Sequence, residues 1–278
     1  LKYIKSPTAF LTGSSWLFTL VLLLILSACA TPAQRVDRKA VAQGYDRLLV
    51  KGLDFTHIAY IKGVSVPSKA VHIYIEGDGR PWIWRHIIAK DPTSTNTLML
   101  KLMRLDSAPS VYLGRPCYYG AKKSDNCSRD LWTSERYSSQ VVASMNAALL
   151  SLIGDDQPIV LMGHSGGGAL AMLMAEHLPN VQAVVTIAGN LDIEAWTELH
   201  RYIPLEGSLN PASRPPLSPH IYQLHLAGGH DDNVAAEMIE RVARQQNAEY
   251  RYIEKYNHIC CWKEIWPEIL SELEKSQP

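Results

Sequence analysis

Ser165 stands in Gly163-His164-Ser165-Gly166-Gly167, a G-x-S-x-G run between an apolar stretch at 158–162 and a helix-forming stretch at 169–178. A serine hydroxyl is too weakly acidic to attack a carbonyl unaided, so it needs a base, and the base needs an acid to orient it. At a sharp strand-to-helix turn the hydroxyl projects from the sheet, and only side chains as small as those of Gly163 and Gly167 fit the close packing there. The helix that follows aims free N–H groups and a partial positive charge at any oxyanion beside Ser165. Downstream lie Gly228-Gly229-His230-Asp231-Asp232-Asn233-Val234 and Tyr256-Asn257-His258, each just after a strand-like run. They supply a candidate acid, Asp231 or Asp232, and a candidate base, His258. His164, next to the candidate nucleophile, reads as a packed or hydrogen-bonding neighbour and not as a base.

These residues need a scaffold that brings three distant turns together. Strand-like runs occur at 55–61, 71–75, 110–113, 158–162, 183–187, 221–227 and 250–255. Helix-like segments occur at 94–105, 134–152, 166–178, 233–245 and 263–275. Such alternation predicts an α/β fold with a mostly parallel sheet covered by helices on both faces. Sites in these sheets lie at the carboxyl ends of the strands, which is where all three turns fall. Residues 190–220 interrupt the alternation with a long connection containing Pro215-Pro216. Trp196, Leu199 and Tyr202 recur there at helical spacing, which suits either a lid over the site or an ordinary packed excursion.

The order serine, acid, histidine, together with the elbow, resembles the α/β-hydrolase family over roughly residues 55–272. The resemblance implies an α/β-hydrolase fold with a short cap insertion and a triad of Ser165, Asp231 and His258. Gly228, Asp231 and Val234 match the family's G-x-x-D-x-x-V, which favours Asp231 over Asp232. Ile75-Glu76-Gly77-Asp78-Gly79 occupies the place of the family's H-G-x-G oxyanion loop, with Glu76 replacing the histidine. By that match the backbone N–H groups of Asp78 and Gly166 hold the oxyanion. Glu76 has a second reading, as a buried carboxylate paired with Arg80 or Arg115. The implied activity is hydrolysis of a carboxylic ester or related acyl bond without a cofactor. A peptidase or an acyltransferase would share the triad, and a non-catalytic envelope binding protein could share the fold.

The N-terminal residues read as a targeting segment: Lys2 and Lys5, then an apolar core at 17–26, then Leu26-Ser27-Ala28-Cys29. This resembles the lipobox of bacterial lipoproteins, in which residues 1–28 are removed and Cys29 is acylated. Ala30 in place of aspartate implies sorting to the outer membrane, facing the periplasm. Residues 29–48 then read as a lipid-attached tether that passes, within 31–48, into a short first helix, and 49–278 as the hydrolase domain. Losing 1–28 leaves 25 basic and 27 acidic residues, a net charge of −2 with no basic run, which argues against nucleic-acid binding. The membrane is reached through the lipid, and the other partner is a small-molecule ester or acyl substrate. In an oxidising compartment Cys117 and Cys127, flanking the polar loop 118–126, are expected to form a disulfide. Cys260 and Cys261 remain open between a vicinal disulfide and two thiols. No histidine or cysteine spacing defines a metal site.

Overall fold

The computed structural model describes residues 30–64, 70–84, 86–121 and 126–276, and residues from Pro32 onward form one compact unit. The apolar segment at 17–26 and Cys29 lie outside the described residues. Helix α1 (Pro32–Ala42) buries Ala33, Val36 and Ala40, one stripe of an amphipathic helix, against the core. Strand β1 (Asp46–Lys51) follows it and pairs antiparallel with β2 (Thr56–Lys62). The boundary expected at residue 49 is therefore corrected. The short helix expected within 31–48 is α1, whose small apolar residues recur at helical spacing and pack on β1, so the fold begins before residue 49.

Eight strands form the main sheet in the order β1-β2-β6-β3-β7-β8-β9-β10. The further strands are β3 (Val71–Ile75), β6 (Ser110–Leu113), β7 (Ile159–His164), β8 (Val181–Ile187), β9 (Tyr222–Gly228) and β10 (Glu249–Ile253). From β6 through β10 every pairing is parallel, while β1 and β2 add an antiparallel edge. Successive side chains of a strand point to opposite faces, yet every residue of β3, β6 and β7 is buried. Both faces of the sheet centre are thus covered, which is why these strands read as unbroken apolar runs. A small hairpin, β4 (Trp82–Ile83) with β5 (Ile87–Ile88), has no counterpart in the sequence reading.

The covering helices are α2 (Leu98–Met103), α3 (Ser139–Ile153), α4 (Gly166–Ala175), α6 (Ala236–Gln246) and α7 (Trp266–Ser276). Helix α4 is buried along its whole length and packs on β7, β8 and β3. Its start has no side-chain cap, since Ser165 occupies the N-cap position without capping. The long connection holds α5 (Ile193–His200) and a short 3₁₀ turn, Pro211–Ser213. In the structure Cys117 is paired with Cys127 and Cys260 with Cys261.

Candidate active site

Ser165 sits at the carboxyl end of β7 with φ of +54°, a backbone region that costs a non-glycine residue strain. Its N–H donates to the Ile187 carbonyl, and its own carbonyl accepts from Gly168 and Asn190. These three bonds hold the elbow in place. A Cβ on Gly163 would overlap the Gly167 carbonyl, and one on Gly167 would overlap that of Ile75. The two outer glycines are therefore required by backbone approach. Gly166 is equally constrained, since a Cβ there would collide with the Asp78 carboxylate and the Tyr137 hydroxyl.

His258 arrives on the loop after β10, and its Nδ1 lies 2.8 Å from Asp231 Oδ2. The Asp231 side chain is fully buried, and its other oxygen accepts from the N–H groups of Asn233 and Val234, both at 2.9 Å. A buried carboxylate with its lone pairs so occupied accepts from Nδ1–H and leaves Nε2 as the acceptor nitrogen, the one that can act as a base. Asp232 is exposed, and among the described residues no hydrogen bond or ion pair joins it to His258. His258 and Asp231 are thus bonded at the carboxyl ends of β9 and β10, and Ser165, at the end of β7, lines the same cleft as His258.

Asn233 was missed by sequence reasoning. Its Nδ2 donates to His258 Nε2 at 3.0 Å, so the base is engaged by an amide, and among the described residues no hydrogen bond joins it to Ser165. The Asn233 backbone carbonyl accepts from Trp196 Nε1 at 3.0 Å and His200 Nε2 at 2.7 Å. These two bonds tie α5 to the acid loop. Its only signal in sequence is adjacency to Asp231, two positions on.

Asp78 lies beside Gly166 and is the hub of a second cluster. Its carboxylate is 2.8 Å from both Arg115 Nη2 and Arg136 Nη1, and Tyr137 donates its hydroxyl at 2.7 Å. Burial by itself would raise the Asp78 pKa, but the two guanidiniums and the Tyr137 hydrogen bond outweigh it and hold the carboxyl down at about 2. Tyr118 donates its hydroxyl to the Asp78 carbonyl at 3.0 Å. The loop expected to supply an oxyanion N–H is thus clamped on both sides. Glu76 is buried as expected, but the reading that pairs it with Arg80 or Arg115 is corrected. Its carboxylate accepts from the Met99 N–H at 3.1 Å and faces His164, while Arg115 reaches only the Glu76 backbone carbonyl.

A cleft of about 1040 Å³ opens over Ser165 and His258. Its walls include Trp82 from the β4–β5 hairpin and Trp196, Tyr202, Ile203 and Leu205 from the long connection. Of residues 190–220, the part around 196–205 faces the cleft, whereas Pro211 and Leu217 are buried in the body. The segment is therefore half wall and half packed excursion. Leu199, one of the three residues that suited a lid, is exposed and is not among the residues lining the cleft.

The sequence profile described as alpha/beta hydrolase fold matches residues 119–205. No curated protein sequence matches the chain. Among solved structures, a putative α/β hydrolase of unknown function from Agrobacterium tumefaciens aligns with a TM-score of 0.56 at 13% identity, covering 83% of this chain and 95% of that one. The chain has the α/β-hydrolase fold. An esterase of Pyrococcus furiosus aligns at 0.59 and 10% identity over 90% of this chain and 95% of its own. A bacterial membrane phospholipase A aligns at 0.59 and 17% identity over 94% and 98%. At such identities the likeness speaks for the α/β-hydrolase fold and not for a shared substrate.

Proposed function

We propose that the protein is a serine hydrolase that cleaves a carboxylic ester or related acyl bond through an acyl-enzyme. What carries the reading is the strained Ser165 elbow facing the same cleft as His258, whose Nδ1 is held by the buried Asp231. Ser165 Oγ attacks the carbonyl as His258 Nε2 takes its proton, and the imidazolium is stabilised by Asp231. The oxyanion is held by the N–H groups of Asp78 and Gly166, each worth about 3 to 4 kcal/mol of transition-state stabilisation. His258 then returns the proton to the leaving group, and water, activated by the same imidazole, clears the acyl group from Ser165.

The substrate we favour is an amphiphilic ester. Trp82, Trp84, Ile87, Leu199, Tyr202, Ile203 and Ile259 are exposed, and all belong to segments that border the cleft. The exposed side chains of Arg80 and Arg201 also face the cleft and suit a negatively charged head group. The likeness to an esterase and to a membrane phospholipase A supports the same reading. Acylation of Cys29 in the outer membrane, facing the periplasm, would hold such an enzyme beside its substrate.

The decisive experiment is covalent labelling by a fluorophosphonate, with the modified residue mapped by mass spectrometry. Ser165 is expected to carry the label, and Ser165→Ala, His258→Ala and Asp231→Asn are each expected to lower ester turnover by orders of magnitude in folded protein. Asp232→Asn is expected to be mild. Label elsewhere, or turnover surviving Ser165→Ala, would overturn the function. A Cys29→Ser chain that stays in the membrane fraction after a salt wash would overturn the anchor.

A further inference from the structure

We propose that His164, braced by Glu76, is a positioning residue that fixes His258 in reach of the nucleophile. The inference rests on the reading of His258 as the base. His164 is the last residue of β7, and its side chain is almost wholly buried. Its Nε2 lies 2.7 Å from the backbone carbonyl of His258, and the two rings are 4.8 Å apart between centroids. A carbonyl only accepts, so Nε2 carries a proton and donates it. That bond connects the backbone of the base loop directly to the strand that leads into Ser165.

The other ring nitrogen defines the brace. His164 Nδ1 is 3.6 Å from Glu76 Oε1, inside the protein. That separation is beyond hydrogen-bond reach, so Glu76 limits the ring's movement as a fixed, buried neighbour. The Glu76 carboxylate is itself fixed by Met99 N–H at 3.1 Å and Tyr112 O–H at 3.4 Å, and Tyr112 contacts Tyr119 O–H at 2.8 Å. Both tyrosines are pushed well above the usual phenol range by burial and stay neutral. The other charges nearby are Asp231, bonded to His258, and Asp78 with its two arginines.

The relay thus runs from the end of β3 through the end of β7 to the loop after β10. It works with Asp231, which orients the imidazole ring from the side, by fixing the backbone that carries it. The separation is physical: Asp231 sets the ring's tautomer, and His164 sets where the residue starts.

The test compares His164→Gln, His164→Asn and Glu76→Leu in the full chain. A Gln amide reaches about where His Nε2 sits and can donate to the His258 carbonyl, whereas an Asn amide is too short. We expect His164→Asn to lower kcat roughly 10- to 100-fold with KM and melting temperature little changed, as a misplaced catalytic group does. His164→Gln is expected to recover most of that loss, and Glu76→Leu to resemble His164→Asn. The low-field proton resonance of His258 Nδ1–H, bonded to Asp231, is expected to broaden or shift in His164→Asn and return in His164→Gln. Equal kcat in the Asn and Gln variants, or an unchanged resonance in His164→Asn, would overturn the proposal. The resonance is read without turnover, so the positioning role remains testable even if Ser165→Ala shows that the function assigned to the site is wrong.

Discussion

Replacing Asp78 by asparagine keeps the backbone N–H beside Gly166 and nearly the same volume, but removes the charge that Arg115 and Arg136 both face at 2.8 Å. The carboxyl is held at about 2 against an ordinary value of 3.8, a preference for the charged form worth roughly 2 to 3 kcal/mol. Asparagine forfeits that preference and also leaves two buried guanidiniums without a counter-charge, so the total cost is about 3 to 5 kcal/mol. For a chain of this length such a loss lowers the melting temperature by roughly 10 °C. A folded-state pKa below the unfolded one gives stability that is complete above the unfolded value. It is lost only as pH falls through the folded one. The difference between wild type and Asp78→Asn is therefore expected to be the same at pH 8 and pH 5. Calorimetry at both pH values measures it, and fluorophosphonate labelling reports whether the loosened loop also slows Ser165, by tenfold or more if it carries an oxyanion donor. A variant that melts within about 2 °C of wild type, or a difference that shrinks by pH 5, would refute the reasoning.

His57 and His225 are held down at about 4, chiefly by burial, and each stays neutral where an unfolded histidine would already be charged. Their contribution is complete above pH 6.5 and is lost as pH falls toward 4, by about 3 kcal/mol each, so the melting temperature should drop across that window and less so in His225→Gln; a flat profile refutes this. The Cys117–Cys127 bridge closes a short loop with a sequence separation of 10, worth about 3 kcal/mol. The double serine variant should melt several degrees lower with turnover kept at a temperature where it is folded, and free thiols in unreduced wild type would disprove the bridge. Asn233→Ala removes only the amide that competes for His258 Nε2, since its backbone bonds to Asp231, Trp196 and His200 remain. Labelling of Ser165 is expected to speed up, and slower labelling would show that the amide assists the base instead. Trp196→Ala is expected to change the preference among ester chain lengths, because the indole is part of the cleft wall; an unchanged profile in active enzyme would remove it from the acyl pocket.

The strands and the elbow were legible because they are local. An apolar run such as 159–162 has no other stable place than between two covered faces, and Gly163 and Gly167 are required by backbone that lies within a few residues or at the next strand's end. The folded start was legible only in part. A short helix is expected within 31–48, but α1 contributes only Ala33, Val36 and Ala40 to the core, so its membership of the domain shows only once the sheet edge it covers is known.

By itself the sequence determined which residues are capable of the chemistry: a serine at an elbow, an acid and a histidine in the right order, each at the end of a strand. Local sterics and strand periodicity are short-range, and they survive being read one segment at a time. The tertiary structure alone decided how those residues are held. Asp78 meets Arg115, Arg136 and Tyr137 from three stretches of chain, and His164 meets the His258 carbonyl 94 residues away. Such contacts exist only because parallel pairing in the order β3-β7-β8-β9-β10 brings the carboxyl ends of distant strands to one edge, and nothing in the spacing of the residues along the chain encodes that distance.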